Sequence, residues 1–139
     1  MDSVRHDESQ WPIVTATMPS HPIASDEFER HLSRVSSYYE RGEPFGLIID
    51  VRHSPSIPAD QRRLTAERMD QDRKRFGYAC PCAILVTSPM QSAVMQVLMW
   101  LTTNPGPLSA FSTPSQATQW LRSCLAGIPV GKTGTGRGL

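Results

Sequence analysis

The chain predicts an α/β fold: a mixed, mostly parallel central sheet of four to five strands with about four helices, as a single domain over residues 1–126 followed by a glycine-rich tail over 127–139. Two apolar runs, Phe45 to Val51 and Cys82 to Thr87, are short and show no polar alternation, which is how strands covered on both faces read. Segments of helical period lie between the apolar runs, and that alternation implies neighbouring parallel strands joined by right-handed crossovers. At 139 residues the chain is long enough for one core that buries about two-thirds of its unfolded surface.

Each element follows from its residues. "WPIVTATM", Trp11 to Met18, is rich in β-branched residues and closes at Pro19, which marks a strand; the preceding "SVRHDES" supplies a short hairpin arm. The next segment opens on Ser25 as an N-cap, with acids in its first turn near the positive helix end, and it stops at Gly42. Phe28, Leu32, Val35 and Tyr39 recur at helical spacing and define its inward face. After the strand that ends in Asp50, "RHSPSIP" is a loop, and Ala59 to about Arg75 is a heavily charged helix. Its thin apolar stripe of Leu64, Met69 and Phe76 lays it across the surface. Beyond "CAILVT", Pro89 stands at a helix start where a missing N–H costs nothing, and the helix runs to Leu101. "NPGP" stops it, "LSAFS" is a last short strand, and Thr113, Pro114 and Gln116 open the closing helix in a capping-box arrangement.

A formal net charge of +1 gives no global attraction to phosphate backbones or anionic lipid, so no nucleic-acid partner is expected. The most apolar region, Ala79 to Leu101, is interrupted by "TSPMQS" and falls short of the roughly 20 continuous apolar residues a membrane span needs. The opening "MDSVRHDESQWPIV" lacks the pattern of a secretory signal. Cys80, Cys82 and Cys124 are odd in number and lack zinc-ligand spacing, which suits a reducing cytoplasm and predicts no metal. The tail holds Gly131-Lys132-Thr133, but only three residues separate Gly127 from Gly131, one short of the phosphate-loop spacing, and no helix follows. No cofactor is expected.

"WPIV", "RGEPFGLIIDVRHSPSIPADQRRLTAERM", "CAILVTSPMQSAVMQVLMWL" and "FSTPSQATQWL" together resemble the small bacterial STAS-like proteins related to the SpoIIAA anti-sigma-factor antagonists. The resemblance spans Trp11 to Leu125, and its most telling pieces are the strand ending in Asp50, the helix start Pro58-Ala59 with Gln61-Arg62, and Ala117 with Trp120-Leu121. It implies a STAS-like fold, with an N-terminal strand pair, a mixed sheet and four helices, that acts through protein contacts in bacterial signalling and regulation. In the antagonists, a serine at the start of the helix after the central strand is phosphorylated by a partner kinase. The corresponding place here holds Pro58, Ala59 and Asp60, without that serine. Asp60 imitates a permanently charged state there, with less charge and fewer acceptors than phosphoserine.

Ligands in open α/β sheets bind beyond the carboxyl ends of the strands, where loops of neighbouring strands face one another. That rule selects Asp50, Arg52, His53, Ser54, Ser56, Asp60 and Ser88 as the ligand or partner loop. The structural alternatives are that Asp50 caps a neighbouring turn and that Ser54 and Ser56 are ordinary turn serines beside prolines. No catalytic residue is expected: His6, His21, His31 and His53 are scattered without metalloprotease spacing. A cysteine entering a buried strand, as in Cys80-Pro81-Cys82, more usually serves as a small inert hydrophobe than as a reactive thiol.

Between Arg75 and Arg122 the sequence holds no Asp, Glu, Lys or Arg. On the helix expected from Met90, the apolar side takes Met90, Ala93, Val94, Val97, Leu98 and Leu101, leaving Gln91, Met95 and Met99 as a candidate interface. An uncharged surface with flexible methionines desolvates cheaply, so a homodimer through this helix is expected if they are exposed, besides a protein partner at the loop. The charged helix carries Arg62, Arg63, Arg68, Arg73, Lys74 and Arg75, but Asp60, Glu67, Asp70 and Asp72 are interleaved and cancel its field. The expected function is thus a non-enzymatic, self-associating interaction module of regulatory type. The alternative is a small-molecule or lipid-binding domain using the cleft at the carboxyl ends of the strands.

Overall fold

The computed structural model describes residues 4–55, 57–78, 80–87 and 107–127. The elements in chain order are β1 (Arg5–Asp7), β2 (Ile13–Thr17), α1 (Ser25–Tyr39), β3 (Gly46–Asp50), α2 (Ala59–Phe76), β4 (Cys82–Leu85), β5 (Leu108–Phe111) and α3 (Pro114–Leu125). They form a five-stranded sheet in the order β1-β2-β3-β4-β5. β1 runs antiparallel to β2, and β2, β3, β4 and β5 are parallel. The mixed, mostly parallel α/β architecture is as the sequence predicts, with three helices among the described residues. The helix expected from Pro89 to Leu101 lies outside them.

The register turns alternation along each strand into two cores. Leu47 pairs with Cys82, Ile48 with Ala83 and Ile49 with Ile84, so odd and even positions line up across the sheet. Val14, Ala16, Met18, Leu47, Cys82 and Ile84 face the helix pair α1 and α2, where they join Phe28, Leu32 and Tyr39. Ile13, Ile48, Ala83 and Leu85 face the other way and meet Ala117 and Leu121 of α3. The uninterrupted apolar runs of β3 and β4 are thereby explained: each strand has a core on both sides.

Helix ends show where local sequence rules hold and where they shift. Thr113 is the N-cap of α3 and its Oγ1 accepts from the Gln116 amide at 3.3 Å, as the capping box predicts. The Gln116 side chain turns to the Ser112 hydroxyl, 3.3 Å away. Ser25 is not the cap of α1: it is already helical, and Ala24 takes the cap position in extended conformation with no side-chain bond. Phe28 N–H bonds to the Ala24 carbonyl at 2.9 Å, which begins the helix one residue early and takes Ser25 inside it. Gly42, past the end of α1, has φ +80°, a conformation that a side chain disfavours. The charged helix α2 does more than cross the surface. It packs against α1 and buries Ala66 together with Gln61 and Asp72, two polar residues that an apolar stripe alone does not select. No helix among the described residues is long and apolar enough to cross a membrane.

Candidate functional site

Three strands end together at the edge the sequence selects. Met18 N–H bonds to the Asp50 carbonyl at 3.0 Å, Val51 N–H to Leu85 at 3.1 Å, and Val86 N–H to Phe111 at 3.0 Å. These bonds carry the ladder one residue past each strand, so the loop after Asp50 starts from a fixed position. Asp50 is buried, at 7% exposure, and it forms a bidentate pair with Arg52. Nε of Arg52 lies 3.0 Å from Oδ1 and Nη2 lies 2.9 Å from Oδ2, while the Arg52 amide donates to Oδ1 at 3.1 Å. Burial pushes the Asp50 carboxyl up, but the Arg52 guanidinium and amide outweigh it and hold the group below its ordinary value. The turn is then closed by Ser54 N–H on the Val51 carbonyl, 3.1 Å.

The structural alternative for Asp50 is therefore what the geometry shows: the carboxylate clamps the loop. Ser54 Oγ bonds to the Pro55 carbonyl at 3.0 Å, in the manner of a turn serine. His53 and Asp60 are exposed. Asp60 occupies the first turn of α2, whose cap is Pro58 with no side-chain bond, so it adds favourable charge at an uncapped N-terminus. The clamp brings together Asp50, Arg52 and Ser54 on a fixed turn and presents His53 outward. Ser56 and Ser88 of the expected loop lie outside the described residues, as do Gln91, Met95 and Met99 of the expected interface.

Cys80 and Cys82 are buried free thiols. Burial pushes Cys80 up to about 12 and raises Cys82 well above the ordinary range, so both stay protonated and inert near neutral pH. Among the described residues, no group of three or more His, Cys, Asp or Glu is placed to hold a metal ion. Among the interleaved acids of α2, Asp70 pairs within the helix as expected, with Arg73 at 2.8 Å and Lys74 at 3.1 Å, whereas Asp72 turns to Ser36 and Arg68 to Glu29, both on α1.

Sequence spacing missed two polar clusters. His6 on β1 and His31 on α1 come together, with Nε2 and Nδ1 sharing a hydrogen bond at 2.9 Å and the rings stacked at 5.1 Å. Burial, with His6 beside it, pushes His31 down to about 3 against the opposing pull of Glu27, so its imidazole is neutral. At the amino-terminal edge of the sheet, Glu8 accepts from Tyr38 at 2.7 Å and pairs with Arg34 at 2.8 Å and Arg41 at 2.9 Å. The hydrogen bonds from Tyr38 and Arg34 hold Glu8 down at about 2. Arg41 also stacks over the Trp11 ring at 4.1 Å. Each cluster draws on segments more than twenty residues apart, which no local motif encodes.

No family model matches the chain. No curated protein matches it either.

Proposed function

We propose that the protein is a non-enzymatic regulatory interaction module of STAS-like type, working in the cytoplasm in bacterial signalling by docking a protein partner and a second copy of itself. The Asp50–Arg52 clamp carries this reading, because it commits the buried Asp50 carboxylate at the strand ends to holding a loop in shape. A fixed loop presenting His53, followed by Asp60 at the start of α2, is a contact surface, and the protonated thiols supply no nucleophile. The strand order supports the STAS-like part of the reading: an antiparallel N-terminal strand beside four parallel strands, with a helix beginning just past the central strand. The charge-free stretch between Arg75 and Arg122 supports self-association, since whatever part of it lies outside the buried β4 strand and the α3 core carries no charge to desolvate.

The test is affinity capture from native bacterial extract with two baits, the wild-type chain and a loop variant carrying His53→Glu and Asp60→Lys. The expected result is a partner held by the wild type and reduced about tenfold with the variant, as loss of about 1.4 kcal/mol of contact energy gives. Equal capture by both baits removes the loop from the reading. Sedimentation velocity on the purified chain tests the second part, and a single monomer boundary at every concentration contradicts self-association.

A further inference from the structure

A cavity of about 100 Å³ lies between the helix pair and the sheet. Its apolar wall is formed by Leu32 and Val35 of α1, Met69 of α2, and Leu47, Ile49 and Ile84 of the sheet. Ile49 stands in the central strand, packs against the core on the α1 and α2 side, and is half-buried. Asp72 of α2 also lines this space and is only 6% exposed.

Asp72 is under-served. Its two oxygens lie 3.1 and 2.9 Å from one hydroxyl, that of Ser36, which has a single hydrogen to give. Ser36 in turn accepts from Arg68 Nη1 at 3.2 Å, and Arg68 Nη2 is engaged with Glu29 at 3.1 Å. A buried carboxyl with one donor for about four acceptor sites is costly unless something else completes it. Burial pushes the Asp72 carboxyl up, against the downward pull of Ser36, Arg68 and Arg75.

We infer that this cavity binds a small neutral molecule with a short apolar body and one hydroxyl, the hydroxyl donating to Asp72. The volume sets the size: an apolar cavity of about 150 Å³ holds benzene, so one of about 100 Å³ takes a chain of about four heavy atoms. The lining sets the polarity. An anionic head is repelled by Asp72, a cationic head must shed its water among apolar side chains with only one carboxylate to serve its several N–H donors, and a neutral hydroxyl meets neither penalty. The inference is independent of the loop proposed above as the protein contact.

Titration of the full chain with 1-propanol and with ethyl methyl ether, which has the same heavy-atom count and no donor, tests it by NMR of the Ile49, Ile84 and Met69 methyl groups. Saturable shifts are expected with 1-propanol, with a Kd of order 1 mM, and binding of the ether about tenfold weaker. The n-propylammonium ion is expected to bind more weakly than the alcohol. Asp72→Asn, which offers a donor as well as an acceptor, shrinks the alcohol–ether difference, and Ile49→Phe, which takes up part of the cavity, weakens the binding read at Ile84 and Met69. Equal binding of alcohol and ether by the wild type, no saturable shift with 1-propanol, or discrimination unchanged in Asp72→Asn overturns the inference. Should Asp72→Asn not fold, the wild-type comparison decides alone.

Discussion

On the α3 face of the sheet, Ala83, Ala117 and Leu121 are fully buried, and Leu121 packs so close to Gly46 that a Cβ added there would lie 2.9 Å from its Cδ2. On the opposite face, α1 and α2 cover a larger core that includes His31, Gln61 and Asp72 and leaves a cavity of about 100 Å³. One face is filled by small residues and a leucine at contact distance. The other accommodates polar groups and space. The difference teaches that the same β-strands serve two ends: the tight face fixes α3 on the sheet, and the loose face has room to accept a ligand.

Substitutions that change volume break this contrast most visibly. Leu121→Ala is expected to cost about 2–5 kcal/mol, because its rigid surroundings do not collapse into the void. Gly46→Ala, which brings a methyl group against Leu121, costs about 1–3 kcal/mol. On the loose face, Val35→Ala removes a half-buried side chain already beside a void and is expected to cost about 1 kcal/mol. Urea denaturation of the three variants checks the ranking, and a Val35→Ala loss equal to that of Leu121→Ala removes the distinction between the faces.

Next in size is the strand-end clamp. Arg52→Ala leaves the buried Asp50 carboxylate with one amide donor, and a loss of about 1–3 kcal/mol is expected, with the partial exposure of Arg52 keeping it below that of a fully buried pair. Arg52→Ala combined with Asp50→Asn recovers part of that loss, since the amide has no charge to leave uncompensated.

The pH dependence sharpens the account of the polar face. His31 has an ordinary value of 6.5 and is held at about 3 in the folded chain. Between those values the unfolded chain takes up a proton that the folded chain refuses, so stability rises with pH and is lost on acidification, by at most roughly 1.4 kcal/mol per pH unit. Glu8, lowered from 4.5 to about 2 by Tyr38 and Arg34, adds a loss of the same sign at more acid pH. Melting temperatures followed from pH 7 downward check this, and in His31→Gln the loss beginning below about pH 6.5 is expected to flatten. The smallest effect belongs to the tight face: Thr113→Ala removes the α3 cap for about 1 kcal/mol.

What the sequence makes legible is governed by distance along the chain. The buried strands, the Gly42 stop and the Thr113 capping box each follow from a few adjacent residues, and the structure has them where they are expected. Ser25 misleads because Ala24 reaches the cap geometry first, a backbone choice its side chain does not announce. The Asp50–Arg52 clamp sits two residues apart and is half legible, since the pattern selects the loop while the bidentate geometry decides its role. His6 with His31, Asp72 with Ser36, and Gly46 against Leu121 depend on how separate elements dock, and nothing local distinguishes these residues from their neighbours. Asp72 in particular is one acid among several on a charged helix until α1 brings Ser36 to it.

The most direct measurement is amide hydrogen exchange across the chain, in buffer and in native bacterial extract. Docking at the clamped loop predicts slowed exchange over residues 51–60, with β1 and the Glu8 cluster unchanged. Identical exchange over 51–60 in both media, accompanied by catalytic turnover of a metabolite by the purified chain, contradicts it.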